Sequence, residues 1–490
     1  MGCIPHADKS NAAEAVLASM RCNAPLVFPA SATSDAHGQM PMSHVIREIA
    51  GACDLQPLAA AHPQRYPGLL ESVARGNARA RYDILFAYPE AMLRFDADGV
   101  RDQHGRHVGG GFLDALDAAW QGARQPRDGD VELPFRGGWL LYLGYELAGE
   151  IEPKLRLPAA RDTALPIALA LRCPAAIVVD HDCDRTLLVA ESERAELLDV
   201  LHADLVAPMP SVAAWQAPER VDEDVPEDFL DGVARIHEHL RAGDIFQVNL
   251  SREWRARCAP DATAAALYRA LRCANPAPFA GLLQHDDWAI ASSSPERLIE
   301  IRGDTAQTRP IAGTRPRDGN DEAAIRELIG HPKERAEHVM LIDLERNDLG
   351  RICVPGSVVA DEIMAIESYA HVHHIVSNVR GTLRPGTTPG QAIRAAFPGG
   401  TITGCPKVRC MQIIAALERV GRGAYTGSLG YLNRDGDLDL NILIRTLTLR
   451  SGEASFRAGA GIVADSVAAR ELDETRAKAR GMLRALGVDG

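Results

Sequence analysis

The chain has 490 residues, a formal net charge of −13 and a hydrophobic content of 46%. This length is sufficient for roughly two to four globular domains with large buried cores. The acidic balance argues against a nucleic-acid-binding surface, because such surfaces carry clustered positive charge.

Membrane insertion and secretion are also disfavoured. The apolar run from Leu165 to Val179 is broken by Pro166, Arg172 and Pro174, so it does not predict a membrane-spanning helix. The N-terminus lacks a basic end followed by an apolar block, as a signal peptide would have. The ten cysteines form no C-x-x-C pair and are typical of reduced core thiols. We expect a cytoplasmic globular protein without nucleic-acid or membrane partners.

The chain divides into three segments by composition. Residues 1–24 are predicted to be a flexible extension. From residue 25, short β-like runs alternate with turn residues and predict a sheet-rich N-terminal domain. Residues 206–228 are rich in proline and acidic residues and lack apolar periodicity, which predicts a linker. We therefore place a domain boundary near residue 215, giving domains 25–215 and 216–490.

The second half alternates helical and strand patterns. The stretch that begins "PEDFLDGVARIHEHLRAG" predicts an acid-started amphipathic helix that stops at Gly243, followed by a strand. Apolar residues at helical spacing predict three more helices in "DEAAIRELIG", "ERAEHVMLIDLERNDL" and "KVRCMQIIAALERVGRG". The stretch "GSLGYLNRDGDLDLNILIRTLTLR" predicts a hairpin with Asp-Gly at its tip. The chain is therefore predicted to be α+β.

Acidic residues lie on two of the predicted helices. Glu337 and Glu345 belong to one helix, and Glu471 and Glu474 lie one turn apart on another. Acidic residues on helices usually face solvent. Together, however, oxygen ligands from two helices would suit a hard cation such as Mg²⁺, whereas no set of histidines and cysteines has the spacing of a zinc site.

Three features could hold an anion or bring a ligand close to the backbone. In "FPGGTITGCPKVRCMQII", two glycines and two threonines precede a predicted helix, where free N–H groups and hydroxyls could seat a phosphate or a carboxylate. Arg445 interrupts an apolar strand pattern, and a buried arginine requires an anionic partner. Gly459 and Gly461 lie within a strand pattern, which indicates either close approach by a ligand or a β-bulge.

Two further residues are candidates for proton transfer. Glu296 follows a proline at a predicted strand end, a place where loops position acids and bases. His374 lies in "HVHHIVSN", and a histidine of this kind is more often structural than catalytic. Neither residue on its own identifies a catalytic function.

Taken together, these motifs resemble the chorismate-utilising enzymes, the family of the anthranilate synthase and aminodeoxychorismate synthase large components and of isochorismate and salicylate synthases. The resemblance covers roughly residues 25–488 and rests on "GDIFQVNLS", "SSSPER", "RPIAGTRPR", "ERAEHVMLIDLERNDLGR", "FPGGTITGCPK" and "AGAGIVADS". It implies an α+β fold in which large antiparallel β-sheets pack face to face with helices outside. It also implies chorismate, a dicarboxylate, as the small-molecule substrate.

The resemblance also implies roles for individual residues. Glu337 and Glu474 match the magnesium ligands that hold the ring carboxylate, with Glu471 beside them. Glu296 matches the general acid or base for the C4 hydroxyl. The positions that match the rest of the pocket are Thr401 and His374 beside the hydroxyl and ring, Tyr425, Arg445, Gly459 and Gly461 around the pyruvyl carboxylate, and Lys407 as a further member of the substrate-binding motifs.

The family pattern further implies ammonia as the nucleophile. Members that add water at C2 have lysine at the position of Gln247, whereas members that use ammonia have glutamine, so isochorismate and salicylate synthases are disfavoured. The chain contains no glutaminase motif, and a separate glutamine amidotransferase subunit is the implied partner. The segment "YPGLLES" resembles one that helps to bind tryptophan in anthranilate synthase; Ser72 alone does not show whether this pocket holds tryptophan.

Ala312, in "TRPIAGTRPR", separates two reactions. The best-known aminodeoxychorismate synthases have a lysine here that attacks C2, whereas anthranilate synthases have alanine. Against this one position, "QVNLS", "SSSPER", "FPGGTITG" and "GGWLLYLGYEL" resemble the aminodeoxychorismate branch.

We therefore expect amination of chorismate to 4-amino-4-deoxychorismate, the precursor of 4-aminobenzoate in folate biosynthesis, with anthranilate synthase as the alternative. A catalytically silent paralogue that binds chorismate or an aromatic amino acid is a third hypothesis. It is disfavoured because Glu296, Glu337 and Glu474 are all present.

Overall fold

The computed structural model describes residues 43–74, 81–127, 132–317, 321–330, 332–368 and 372–488. The predicted extension, residues 1–24, lies outside the described residues. In chain order the strands are β1 His44–Ala50, β2 Gly68–Glu71, β3 Tyr82–Ala87, β4 Ala91–Asp96, β5 Gly99–Asp102, β6 His107–Val108, β7 Gly138–Leu143, β8 Ala168–Cys173, β9 Ala175–Asp180, β10 Arg185–Glu191, β11 Arg220–Glu223, β12 Gln247–Arg257, β13 Phe279–His285, β14 Trp288–Ser294, β15 Arg297–Arg302, β16 Thr305–Thr308, β17 Ile311–Pro316, β18 Val359–Ser368, β19 Val372–Thr382, β20 Gly404–Cys405, β21 Ser428–Asn433, β22 Leu438–Asn441, β23 Thr446–Arg450 and β24 Glu453–Ile462.

The helices in the same ranges are α1 Gln56–Ala61, α2 Phe112–Ala123, α3 Ala148–Ile151, α4 Leu197–Val206, α5 Pro226–Ala242, α6 Ala264–Ala274, α7 Asp321–Gly330, α8 Pro332–Gly350, α9 Pro389–Ala396, α10 Lys407–Glu418 and α11 Ala468–Leu486. No helix in this part of the chain is long and apolar enough to cross a membrane.

The strands form two large antiparallel sheets. The first has the order β1-β10-β9-β3-β2-β13-β14-β23-β24-β12-β11, and β20 pairs with β12. The second has the order β17-β19-β16-β15-β22-β21-β7-β8-β4-β5-β6, and β18 pairs with β19. Both sheets take strands from either side of residue 215: β2 pairs with β13, and β7 pairs with β21. The proposed boundary is therefore not a boundary between the sheets.

The two sheets pack face to face. A buried apolar cluster between them includes Phe86 and Ile290 from the first sheet and Tyr142 and Leu429 from the second. Helices α1, α4, α6 and α11 cover the outer face of the first sheet, and α2, α8 and α9 cover the outer face of the second. This layering follows from burying both faces of each sheet, and it confirms the predicted fold class.

Several local predictions are confirmed. Helix α5 ends at Gly243, whose φ of 75° is the left-handed cap conformation that favours glycine. The hairpin β21–β22 turns at Gly436, where φ is 96°. The predicted linker is less open than expected, because Arg220–Glu223 forms an edge strand. In the same stretch, Trp215 Nε1 donates to the Leu486 carbonyl at 3.2 Å, so this segment packs against the end of α11.

Candidate functional site

Glu296 occupies the turn between β14 and β15, as its position after a proline predicts. Its side chain is buried, and Thr401 Oγ1 donates a hydrogen bond to its Oε1 at 2.8 Å. Burial raises the pKa of Glu296 to about 7, although the Thr401 hydrogen bond and the charge of Lys478 act in the opposite direction. A carboxyl group with this pKa exchanges its proton near neutral pH, as a general acid or base must.

Thr401 contributes to the site in a different way from the one predicted. The stretch precedes a helix, as predicted, but β20 and Pro406 separate Thr401 from the first residue of α10, Lys407. Gly404 and Cys405 pair with β12 and hold this loop on the first sheet. The loop therefore presents a threonine hydroxyl to Glu296 and does not form a helix-dipole anion seat.

Arg445 lies between β22 and β23 and not within a strand, so this part of the prediction is wrong. Its backbone adopts a left-handed φ of 51°. Among the described residues, its half-buried guanidinium has no hydrogen-bond or ion-pair partner. Burial lowers the pKa of Arg445, and Glu296 is the negative charge that opposes this shift. A desolvated cation without a partner is a seat for an anionic group, which is the chemistry that the sequence indicated.

His374 lies on β19 and is buried beside the same cation. Burial, followed by the charge of Arg445, lowers the pKa of His374 to about 4. The imidazole is therefore neutral at neutral pH and offers a hydrogen-bonding group without charge.

Gly459 and Gly461 lie on β24, in an unbroken ladder with β12 that excludes a bulge. A Cβ atom at Gly461 would lie 2.4 Å from Gln247 Nε2, and one at Gly459 would lie 2.4 Å from Asn249 Oδ1 and 2.7 Å from the Tyr425 hydroxyl. Because these glycines have no side chains, the polar groups of Gln247, Asn249 and Tyr425 can lie close to β24, on the face that carries the predicted carboxylate seat.

Tyr425 is held by a buried ion network that was not predicted from the sequence. Arg422 Nη2 lies 2.7 Å from Glu418 Oε1, and Arg457 Nη2 lies 3.2 Å from Glu418 Oε2. Arg422 also donates to the Asn249 carbonyl at 2.7 Å, and its guanidinium lies over the Tyr425 ring. The i,i+4 spacing of Glu418 and Arg422 in "ALERVGR" was the available signal. This network fixes the backbone that carries the glycine-lined surface.

A second buried cluster contains Glu345, Asp348 and Lys407. Lys407 Nζ lies 2.5 Å from Asp348 Oδ2, so the ammonium of this predicted substrate-binding residue is engaged by a neighbouring carboxylate. Burial, followed by the charge of Asp348, raises the pKa of Glu345 to about 8. Glu296 also contributes to this shift, so the two buried carboxyl groups act on each other.

The predicted magnesium ligands lie on α8 and α11. Glu337 is half-buried, Glu471 is buried, and Glu474 is exposed with its Oε1 2.8 Å from Lys478 Nζ. Lys478 also donates to the Gly459 carbonyl at 3.0 Å, which places this face of α11 beside β24.

Within the described side chains, no group of three or more histidine, cysteine and acidic residues could hold a metal ion. Magnesium takes only one or two protein carboxylates together with water and substrate oxygens, so these oxygen donors fit its chemistry.

Ala312 belongs to β17, where its backbone pairs with Ile375 next to His374. The side chain of Ala312 lies outside the described residues. The register shifts between Ala312 and Thr314, at Gly313, whose φ is 67°. The segment is therefore a strand of the second sheet with an irregularity at a glycine.

Ser72 lies apart from these residues, at a cavity of about 310 Å³ that also contacts Tyr431 and Asn441. Its hydroxyl donates to the Pro278 carbonyl at 3.3 Å, and its N–H donates to Asp83 Oδ1 at 3.0 Å. Arg297 and Phe279 line the same cavity, with the guanidinium over the ring. The cavity offers both aromatic and charged surface to a small ligand.

The chain is similar to known proteins over most of its length. The model of the chorismate binding enzyme family matches residues 73–484. Anthranilate synthase component 1 of Thermus thermophilus is 40% identical over 85% of this chain and 91% of its own. Aminodeoxychorismate synthase component 1 of Bacillus subtilis is 40% identical over 87% of this chain and 93% of its own.

Among solved structures, anthranilate synthase component I from Streptococcus pneumoniae matches with a TM-score of 0.75 and 32% identity, over 83% of this chain and 93% of that one. The family model spans every residue of the candidate site except Ser72. The two relatives each match more than four fifths of the chain. The chain therefore belongs to the chorismate-binding enzyme family.

Proposed function

We propose that this chorismate-utilising enzyme replaces the C4 hydroxyl of chorismate with an amino group and releases 4-amino-4-deoxychorismate. The observation that carries the proposal is the position of the residues that resemble this branch. Asn249, the serines of β14 and Thr401 lie close to Glu296 and the glycine-lined surface. Residues that surround the reacting atoms bear more directly on the reaction than residues elsewhere on the chain.

The proposed reaction needs one proton delivered and one removed. A carbon–nitrogen bond forms to ammonia, the C4–oxygen bond breaks, and Glu296 donates a proton so that the hydroxyl leaves as water. The surplus proton of the new ammonium group then returns to the Glu296 carboxylate. Thr401 holds this carboxyl group in place through its 2.8 Å hydrogen bond.

The two negatively charged carboxylates of chorismate are assigned to positively charged groups. Arg445 and the Tyr425 hydroxyl receive the pyruvyl carboxylate, with Gly459 and Gly461 leaving room for it. Glu337 and Glu474 would hold magnesium, with Glu471 beside them, and the ion, when bound, supplies positive charge to the ring carboxylate. The neutral imidazole of His374 lies next to the Arg445 charge and lines the ring pocket.

A specific observation favours a second reaction. Position 312 carries alanine, so no lysine at this point on β17 can form a covalent adduct at C2. Ammonia that attacks C2 directly, with loss of the C4 hydroxyl and then of pyruvate, would give anthranilate. Relatives named anthranilate synthase also outnumber those named aminodeoxychorismate synthase. A covalent lysine only divides one barrier into two, so amination at C4 does not require it.

The deciding experiment is a product analysis of the purified protein with chorismate, Mg²⁺ and ammonium at alkaline pH. Products are read by mass and fluorescence, and pyruvate is assayed in parallel. Aminated chorismate that retains its pyruvyl group, and that yields 4-aminobenzoate only after a lyase is added, supports the proposal. Anthranilate with stoichiometric pyruvate contradicts it and supports the second reaction.

Two binding partners form part of the proposal. A glutamine amidotransferase subunit would supply ammonia in the cell, as the component names of the relatives suggest. Tryptophan would occupy the cavity at Ser72, and calorimetry with L-tryptophan tests this directly. The cytoplasm is the proposed location of the complex.

A further inference from the structure

A second buried carboxyl group lies beside Glu296. Glu345 belongs to α8, and its side chain is buried. A Cβ atom at Gly400 would lie 3.5 Å from Glu345 Oε1, so this glycine packs against the carboxyl group. The next residue, Thr401, donates its hydroxyl to Glu296. Consecutive residues of one loop therefore contact both carboxyl groups.

The connection between β16 and β17 also contacts both carboxyl groups. Thr308, the last residue of β16, interacts with Glu345 through its side chain. The backbone N–H of Ile311, the first residue of β17, donates to Glu296. Two separate segments thus place Glu345 next to Glu296. Protons transfer between groups that lie within hydrogen-bond reach or are joined by one water molecule.

The charges around Glu345 favour its protonated form. The charged groups that act on it are Asp348 on the same helix, Lys407 at the start of α10, and Glu296. Lys407 Nζ lies 2.5 Å from Asp348 Oδ2, and Glu345 forms no ion pair with any residue that the structure describes. A buried carboxylate without a compensating cation is unfavourable, so the pKa of Glu345 is raised to about 8. Glu345 therefore still holds its proton after Glu296 has lost one.

The proposed reaction creates a need for this proton. Glu296 gives its proton to the leaving hydroxyl and can regain one from the new ammonium group. An aliphatic amine is a stronger base than a glutamate carboxylate, so product that leaves as ammonium carries the surplus proton away. Glu296 is buried and must then be reprotonated through other groups. Lys407 is partly exposed, whereas Asp348 and Glu345 are buried, so the cluster extends from Glu296 towards solvent.

We propose that Glu345 is a proton-relay residue that returns a proton to Glu296 after turnovers in which the product leaves as ammonium. In this transfer an O–H bond of the Glu345 carboxyl group breaks and an O–H bond forms on Glu296. The negative charge moves to Glu345 and towards the Lys407 ammonium. A solvent acid at the partly exposed end of the cluster then restores the Glu345 proton. Glu345 thus acts through Glu296, and the inference rests on the proposed amination of chorismate.

The test uses Glu345→Gln, which keeps the size of the protonated side chain but cannot transfer a proton. Glu345→Asp is the conservative variant and retains a carboxyl group. Glu191→Gln is the matched control, because burial also raises the pKa of Glu191 and its carboxylate pairs with Arg172 of β8. For each protein we would measure the rate of the first turnover by rapid quench at neutral pH, the steady-state kcat, the chorismate Kd and the Tm.

A first turnover begins with Glu296 already protonated and does not need the relay. We therefore expect Glu345→Gln to complete its first turnover at nearly the wild-type rate and then to continue about tenfold more slowly, so that product appears in a burst. The chorismate Kd should stay nearly constant. Glu345→Asp should retain most of the steady-state rate, and Glu191→Gln should lower only the Tm.

A wild-type kcat in folded Glu345→Gln would overturn the inference. An equal loss in the first turnover and in kcat would also overturn it, because that pattern indicates a structural role. Where Glu345→Gln does not fold, Glu345→Met takes its place with the same expectations. Amination at C2 would overturn the proposed C4 reaction, and the burst would still decide the relay. No amination by the wild-type protein would overturn both.

Discussion

Thr401 Oγ1 donates a hydrogen bond to Glu296 Oε1 across 2.8 Å, joining the loop before α10 to the turn between β14 and β15. The bond stabilises the ionised carboxylate, while burial stabilises the neutral acid. These opposing effects set the pKa of Glu296 to about 7. Removing the Thr401 hydroxyl should therefore change this pKa in a predictable direction.

Removing the acid should affect turnover more than binding. Glu296→Gln retains the shape and burial of the side chain but cannot transfer a proton, so we expect kcat to fall about 10²- to 10⁴-fold with the chorismate Kd nearly unchanged. Steady-state kinetics together with calorimetry test this expectation. An equal loss in kcat and in affinity would mean that Glu296 serves to bind the substrate.

The pH dependence should follow the protonated form of Glu296. Because its pKa is raised, the acid form is present below pH 7 and is lost as the pH rises through about 7. Thr401→Val removes a hydrogen bond that lowers this pKa, so we expect the alkaline limb of kcat/KM, plotted at constant free ammonia, to move to higher pH. Thr401→Ser keeps the donor and is the control. A limb that stays in place would show that another group titrates.

Loss of the predicted metal ligands should abolish magnesium-dependent activity. Glu337→Gln and Glu474→Gln each remove one negative oxygen donor, and we expect turnover to become undetectable at magnesium concentrations that saturate the wild-type enzyme. Asp473→Asn, an exposed neighbour on the same helix, should retain activity. Magnesium titrations of activity measure both effects, and normal rates in Glu337→Gln would refute the metal assignment.

The guanidinium of Arg445 should increase the affinity for chorismate and lower the stability of the free protein. Arg445→Met removes a desolvated charge without a partner among the described residues, so we expect the Tm to stay constant or rise while chorismate affinity falls about ten- to hundredfold. Arg422→Met removes a partner of the buried Glu418 and should instead cost about 3–5 kcal/mol of stability. Thermal denaturation and calorimetry separate the two cases. A lower Tm in Arg445→Met would indicate a structural role.

Position 312 can be tested by restoring a nucleophile. Ala312→Lys lies at an irregular strand pair next to His374, and we expect it to fold. With chorismate it should change the ratio of products or accumulate a covalent adduct that intact mass spectrometry detects. The same products and an unmodified mass would show that this residue does not influence the reaction.

Local sequence signals predicted local structure well. The left-handed cap at Gly243 and the turn at Gly436 follow from a property that glycine has in any context, and both are confirmed. Arg445 shows the limit of this reasoning: its chemistry was evident from charge within an apolar pattern, but its left-handed backbone was not. The arrangement at Thr401 depends on a two-residue pairing with β12, which local patterns do not reveal.

Contacts distant in sequence were the least predictable. The buried cluster of Glu418, Arg422 and Arg457 depends on which elements become neighbours in the fold. Family resemblance identified the residues of the site from the sequence. The burial that changes their pKa values is seen only in the structure.

The shared sheets constrain the order in which the chain can fold. Strand β2 cannot pair with β13, and β7 cannot pair with β21, until these later strands have been synthesised. Strand β21 lies nearly 300 residues after β7 in the sequence. In a nascent chain that has emerged only as far as residue 215, β2 and β7 would each have an unpaired edge. Such edges can pair with the strands of other chains. Long-range pairing of this kind also slows folding. Synthesis of this protein therefore includes an interval of exposure that ends only when the C-terminal strands leave the ribosome, and the halves produced as separate polypeptides are expected to aggregate.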